Sequence, residues 1–231
     1  MADRALILAG GRGRRLAPYT AILPKPLMPL SNNKSVIQHV LEGIARAGIS
    51  DVTISLGYLG HLIEAVLNQS GSSELNITYT HEDDPLGTAG PLTLMSGVQD
   101  SDRVLVVNGD TYTDLDYLSV LAALDGHQAV VTCVRREIET NYGVVHPDQN
   151  GNLNSYEEKP VLPLLVSTGI YAIRGRAMRD LQPSTYLDMP DLLRTLATDS
   201  GGVRVLEADC LWRDLGRAED FAEILGKITD D

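Results

Sequence analysis

A short apolar run, Ala5 to Leu8, opens into Ala9-Gly10-Gly11-Arg12-Gly13-Arg14-Arg15-Leu16. An apolar run of that length, stopped by glycines, reads as a buried strand. Gly10, Gly11 and Gly13 let the backbone pass close to a ligand, because no Cβ blocks the approach. Exposed amides in such a turn point at anions. Arg12, Arg14 and Arg15, with Lys25 in Pro24-Lys25-Pro26, add positive charge. A strand that ends in a basic, glycine-rich loop is built to hold phosphates.

The segments that follow repeat the strand-then-helix order. Val52 to Leu56, Ile77 to Tyr79 and Val104 to Val107 are rich in β-branched residues and predict strands. Between them, Val36, Ile37, Val40, Leu41 and Ile44 recur at helical spacing, and Gly48 marks the stop. Leu59 to Leu67 and Thr88 to Gly97 are further helix candidates, Gly90 and Pro91 setting the start of the second. This alternation predicts a mostly parallel sheet with helices on both faces. After Asp110 the rhythm shifts to a helix from Leu115 to Leu124 and short strands at Ala129 to Val134, Gly143 to Val145 and Leu165 to Ile173. Their spacing, with a turn at Asp148 to Gly151, predicts an antiparallel addition. Helices are expected at Met178 to Leu181, Asp191 to Thr198 and Ala218 to Ile228. No repeat or low-complexity linker interrupts residues 1–231, so one continuous domain is expected.

Charge distribution sharpens the reading of the loop. The chain carries a formal −12, which argues against a nucleic-acid-binding surface. Residues 1–34 nevertheless hold six cations against Asp3 alone. Cations gathered at one glycine-rich turn of an acidic protein suit a compact polyanion. No apolar run approaches the ~18 residues of a membrane helix, and no signal-peptide layout opens the chain. Cys133 and Cys210 have no ligand-like spacing and are read as buried thiols of a cytoplasmic protein. His39, His61, His81, His127 and His146 form no metal or triad spacing.

Two common phosphate motifs do not fit. A P-loop needs Gly, four residues, then Gly-Lys-Ser/Thr, and a dinucleotide fingerprint needs a glycine where Leu16 stands. The combination of segments is more specific. Leu8 to Leu16 with Pro24-Lys25-Pro26-Leu27, Pro85 to Leu92, Asn108-Gly109-Asp110, Tyr142 to Val145 with Glu158-Lys159-Pro160, Thr168 to Tyr171, and Trp212 to Gly216 occur in that order. In this the chain resembles the sugar-1-phosphate nucleotidyltransferases, above all the mannose-1-phosphate guanylyltransferase type. One departure is Arg14, where the family usually has a small or polar residue. Solvent exposure is the favoured reading for that side chain.

The resemblance implies a Rossmann-like three-layer α/β/α sandwich, with a mostly parallel mixed sheet and a small antiparallel sugar-binding addition. About residues 1–112 would form the nucleotide-binding half and 113–231 the sugar-phosphate half. The implied reaction joins a nucleoside triphosphate to a sugar 1-phosphate, releasing pyrophosphate. Arg15, Lys25 and Asp110 would be catalytic. Leu8, Ala9, Gly10, Gly11, Gly13, Arg14, Arg15, Glu82, Gly87, Thr88, Asn108 and Gly109 would bind the nucleotide. Gly143, Glu158, Lys159, Thr168 and Gly169 would bind the sugar phosphate, and Asp110 and Asp214 would hold Mg²⁺ or Mn²⁺. No nucleic acid or membrane partner is implied, and a homodimer stays open. The chain ends at Asp231 without the hexapeptide-repeat domain that many mannose-1-phosphate relatives carry, which predicts a short form.

The chemistry needs no serine, cysteine or histidine base, since a phosphate monoester with a second pKa of about 6 is largely a dianion at neutral pH. Its difficulty is bringing anions together. Like unit charges 4 Å apart repel by about 4 kcal/mol at an effective dielectric of ~20. Glu82 tilts the base choice towards GTP, because a carboxylate only accepts and guanine offers two adjacent donors. UTP and dTTP stay as alternatives, as does a catalytically silent nucleotide-sugar-binding homologue. A glycosyltransferase is disfavoured, since the Asp-x-Asp spacing of Asp114-Leu115-Asp116 reads as a helix N-terminus.

Overall fold

The computed structural model describes residues 1–31, 34–70 and 75–215. The expected helix at 218–228, and Gly216, lie outside them. In chain order the strands and helices are β1 (Asp3–Ala9), β2 (Pro29–Ser31), β3 (Lys34–Ser35), α1 (Val36–Arg46), β4 (Asp51–Leu56), α2 (Gly60–Ser70) and β5 (Asn76–His81). There follow β6 (Arg103–Asn108), β7 (Thr111–Thr113), α3 (Tyr117–Ala122), β8 (Ala129–Glu139), β9 (Val144–Pro147) and β10 (Leu153–Glu157). The last described are β11 (Val161–Arg174), α4 (Met189–Ala197), β12 (Val203–Glu207) and β13 (Trp212–Asp214).

Seven strands form one sheet in the order β12-β8-β11-β6-β1-β4-β5. Pairing is parallel throughout except around β11, which runs antiparallel to both β6 and β8. Alternation along β1 explains why its sequence is apolar from Ala5 to Ala9: successive side chains serve opposite faces, and both faces are covered. Ala5, Ile7 and Ala9 pack with Ile37, Val40 and Ile44 of α1, Ile63 of α2 and Val120 and Leu121 of α3. Leu6, with Val104 and Val106 of β6, packs against Met189, Leu192 and Leu196 of α4. The architecture is therefore the mostly parallel, helix-covered mixed sheet that the pattern predicts.

Local chemistry sets the helix ends. Ser35 and Gln38 make a reciprocal capping box at the start of α1, and Gly48 turns away at φ +76° beyond its end. Asp116 caps α3, its carboxylate accepting from the Leu118 amide at 3.0 Å, so that helix starts two residues later than expected. Two expected helices reduce to single 3₁₀ turns. At Gly90–Leu94, Pro91 removes a donor and Met95 is already extended (ψ 124°), so the expected helix over 88–97 stops after one turn. The other turn covers Gly175–Met178, upstream of the expected 178–181. β8 and β11 run longer than their apolar cores because their pairing continues outward to Glu139 opposite Val161. Among the described residues no helix is long and apolar enough to cross a membrane.

Candidate active site

The loop after β1 meets the ends of β4, β5 and β6 at one edge of the sheet, where open α/β sheets bind ligands. It is held there by close packing. A Cβ on Gly57 would stand 2.7 Å from the Gly10 carbonyl oxygen, and one on Gly10 would stand 2.8 Å from Glu82 Oε1. Gly13 takes φ +59° and starts the 3₁₀ turn Arg14–Leu16, whose Leu16 is buried. The Thr20 hydroxyl donates to the Gly13 carbonyl at 3.0 Å. A glycine is required at 13, since the left-handed turn and the contact with Thr20 both exclude a side chain.

A cavity of about 480 Å³ lies along this loop. Its lining takes in Leu8, Ala9, Gly10, Gly11 and Gly13 of the loop, with Glu82, Gly87, Thr88 and Asn108 from the ends of later strands and the segments after them. Arg14, Arg15, Lys25 and Asp110 also line it. Arg14, read from the sequence as solvent-facing, is exposed yet lines this cavity and also a second one of about 590 Å³ beside Arg12 and Tyr58. Gly109 lies outside the lining. Its amide donates to the Leu8 carbonyl at 2.9 Å, which fastens the ends of β1 and β6 together.

Two aspartates from distant parts of the chain converge on Lys25. Asp110 follows β6, whereas Asp214 ends β13, which pairs antiparallel with β7 so that Asp214 lies opposite Thr111. Lys25 Nζ donates to Asp110 Oδ2, its closer partner, and to Asp214 Oδ1 at 3.4 Å. The Arg15 guanidinium stands 3.6 Å from Asp214 Oδ2. Lys25 itself is only 6% exposed, fixed in a 3₁₀ turn between Pro24 and Pro26. A cation held between two carboxylates shows that this position favours positive charge. Two carboxylates are hard oxygen donors of the kind that suit a divalent cation.

Glu82 has both carboxylate oxygens engaged. Ser55 Oγ donates to Oε1 at 2.8 Å, and the Leu86 amide donates to Oε2 at 3.0 Å. Each oxygen retains a further acceptor site that can face the cavity. Tyr186, which sequence reasoning missed, also lines the cavity. Its phenol donates to Asp188 Oδ2 at 2.7 Å, and that carboxylate pushes the phenol pKa up. No periodicity or motif spacing singles it out, because only the tertiary contact of 185–188 with 86–90 brings it here.

The five expected sugar-phosphate residues do not line this cavity. Gly169, at φ +75°, sits at a bulge in β11, and a Cβ there would stand 2.3 Å from Asn108 Nδ2. Thr168 has its side chain turned into the sheet. Its buried hydroxyl donates to the Thr132 carbonyl at 3.0 Å, because a buried hydroxyl at a bulge must find a partner within the sheet. Glu158 and Lys159 are exposed beside β10, and Glu158 Oε2 accepts from the Tyr156 phenol at 3.1 Å. Gly143 packs against that pair, with no space for a Cβ beside the Tyr156 oxygen. Of the cysteines, Cys133 is buried but Cys210 only partly so, and burial raises both thiols above their ordinary range.

The family model for nucleotidyl transferases matches residues 4–231. The chain belongs to the nucleotidyl transferase family. Among curated relatives it is 30% identical over 230 residues to a mannose-1-phosphate guanylyltransferase catalytic subunit beta of Dictyostelium discoideum. It is 32% identical over 228 residues to a mannose-1-phosphate guanyltransferase of Yarrowia lipolytica. These matches cover 96% and 94% of this chain but 64% and 62% of the relatives, so the chain spans about three-fifths of their length. The crystal structure of HddC from Yersinia pseudotuberculosis complexed with GMP-PN has the same fold, with a TM-score of 0.73 and 24% identity over 98% of this chain and 99% of that one. So does a putative glucose-1-phosphate thymidylyltransferase from Bacillus anthracis, with a TM-score of 0.76 and 24% identity over 100% of this chain and 96% of that one.

Proposed function

We propose that this nucleotidyl transferase joins a nucleoside triphosphate, GTP in preference to UTP or dTTP, to a sugar 1-phosphate, giving an NDP-sugar and pyrophosphate. The observation that carries the reading is that Arg15, Lys25 and Asp110 line the glycine-lined cavity and that ion pairs join them to one another through Asp214. In the reaction a sugar phosphate oxygen forms a bond to the α-phosphorus, and the bond from that phosphorus to the bridging oxygen of the leaving pyrophosphate breaks. Amides of the Gly10–Gly13 loop and the Arg15 fork hold the β- and γ-phosphates, where the leaving charge accumulates. Lys25 sits beside the α-phosphate, and Lys159 meets the incoming phosphate as a point charge. Glu158 accepts from a sugar hydroxyl. Asp110 and Asp214 would hold the divalent cation, which when bound neutralises phosphate charge.

Glu82 reads the base edge, and the likeness to mannose-1-phosphate guanylyltransferases supports the GTP preference. About residues 1–112 serve the nucleotide, and the remainder holds the sugar phosphate besides lending Asp214 to the cation. The direct test measures pyrophosphate release with Mg²⁺ over a grid of triphosphates and sugar 1-phosphates. Turnover highest with GTP supports the reading. No turnover in any combination, with nucleotide still bound, would assign the protein to nucleotide-sugar sensing instead.

A further inference from the structure

Residues 185–188 lie zipped along residues 86–90. The Leu187 carbonyl accepts from the Ala89 and Gly90 amides at 2.8 and 3.1 Å, and the Leu187 amide donates to Leu86 O at 2.9 Å. Asp188 Oδ1 accepts from the Thr88 amide and hydroxyl at 3.2 and 3.3 Å. A Cβ on Gly87 would stand 2.5 Å from Leu187 O, which shows how closely the two backbones run. On this fixed segment Tyr186 is 61% exposed, yet it lines the cavity that Gly87 and Thr88 also line, and its hydroxyl is tied to Asp188. An exposed aromatic side chain with its hydroxyl anchored is pre-organised for a flat ligand. Arg15, Lys25 and Asp110 line the same cavity.

We infer that Tyr186 is a nucleobase-contacting residue whose ring covers the base of the bound triphosphate. The inference rests on the nucleoside-triphosphate reading of the cavity. Stacking acts on any base face, so Tyr186 supplies affinity while Glu82 reads the edge. A purine offers the larger face.

Calorimetric titration with GTP, UTP and base-free tripolyphosphate tests this on wild type, Tyr186→Ala and Tyr186→Phe. Loss of one base–aromatic stack should raise the GTP Kd of Tyr186→Ala about tenfold or more, leave tripolyphosphate unchanged, and keep Tyr186→Phe within about threefold of wild type. Tyr186→Leu, which has apolar bulk but no flat π face, replaces the alanine variant if that protein does not fold. A GTP Kd within about twofold of wild type in the ring-less variant overturns the assignment alone, as does an equal loss for tripolyphosphate, which would make Tyr186 a brace for the segment. Wild-type protein that binds no nucleoside triphosphate overturns the underlying reading, and the assignment with it.

Discussion

Among the described residues, Lys25 and Asp102 are the charged side chains that the fold buries. Burial of a charge is tolerable only with partners, and Lys25 has two carboxylates within reach. Its removal should act on chemistry more than on nucleotide binding, because in the proposed reaction Arg15 and the loop amides would still hold the phosphates. Lys25→Met is expected to lower kcat by about 10²-fold or more while nucleotide Kd changes far less, as steady-state kinetics and calorimetry will show. Glu82 is a second residue with two duties. Glu82→Gln keeps one acceptor oxygen, so it should relax the base preference and cost about 1 kcal/mol of stability through the bonds to Ser55 and the Leu86 amide. Relative rates with GTP, UTP and dTTP that match wild type would remove Glu82 from base reading.

At the scale of elements, α1 and β7 are joined through His39. Its Nε2 lies 2.8 Å from the Thr113 carbonyl, which can only accept, so this nitrogen carries the proton. The ring also lies against Tyr112, with centroids 4.7 Å apart. Burial lowers the His39 pKa below 6.5, and the bond to Thr113 opposes that shift without cancelling it. The folded protein thus binds this proton less readily than the unfolded chain. Stability from this site is present in full above pH 6.5 and is lost as pH falls through the lowered folded value. Urea midpoints at about pH 7.5 and about pH 5.5 should fall further in wild type than in His39→Gln. An equal fall in both proteins would show that His39 carries none of the acid sensitivity.

For the molecule as a whole, the joining of the chain's late segment to its centre matters most. Trp212 Nε1 donates to the Thr168 carbonyl at 2.8 Å, and the Arg136 guanidinium lies over the Trp212 ring while donating to its carbonyl at 2.7 Å. These contacts hold β13 in register with β7, and so place Asp214 beside Asp110. Trp212→Leu is expected to lower kcat by about tenfold with nucleotide Kd within about threefold of wild type, because the carboxylate shifts while the glycine-loop cavity stays intact. Matched kcat and Kd measurements separate that outcome from general unfolding.

The buried strands, the α1 face and the basic glycine loop were legible in the sequence because each rests on local rules: period, capping and the freedom of glycine. The grouping of Leu8, Gly10, Gly87, Thr88 and Asn108 around one cavity was legible from motif order. That β11 joins the sheet antiparallel was legible too, but its insertion between β6 and β8, the pairing of β12 with β8 and the seating of Asp214 opposite Thr111 were not, since each depends on partners up to about a hundred residues away. The same holds for the commitment of the Thr168 hydroxyl to Thr132 and for the entry of Tyr186 into the cavity. By itself the sequence determined the buried central strands, the apolar face of α1 and that one turn gathers the cations, because those depend on neighbours a few residues apart. The tertiary structure alone decided which carboxylates those cations meet and which aromatic faces the cavity, because pairing geometry between remote strands sets those distances.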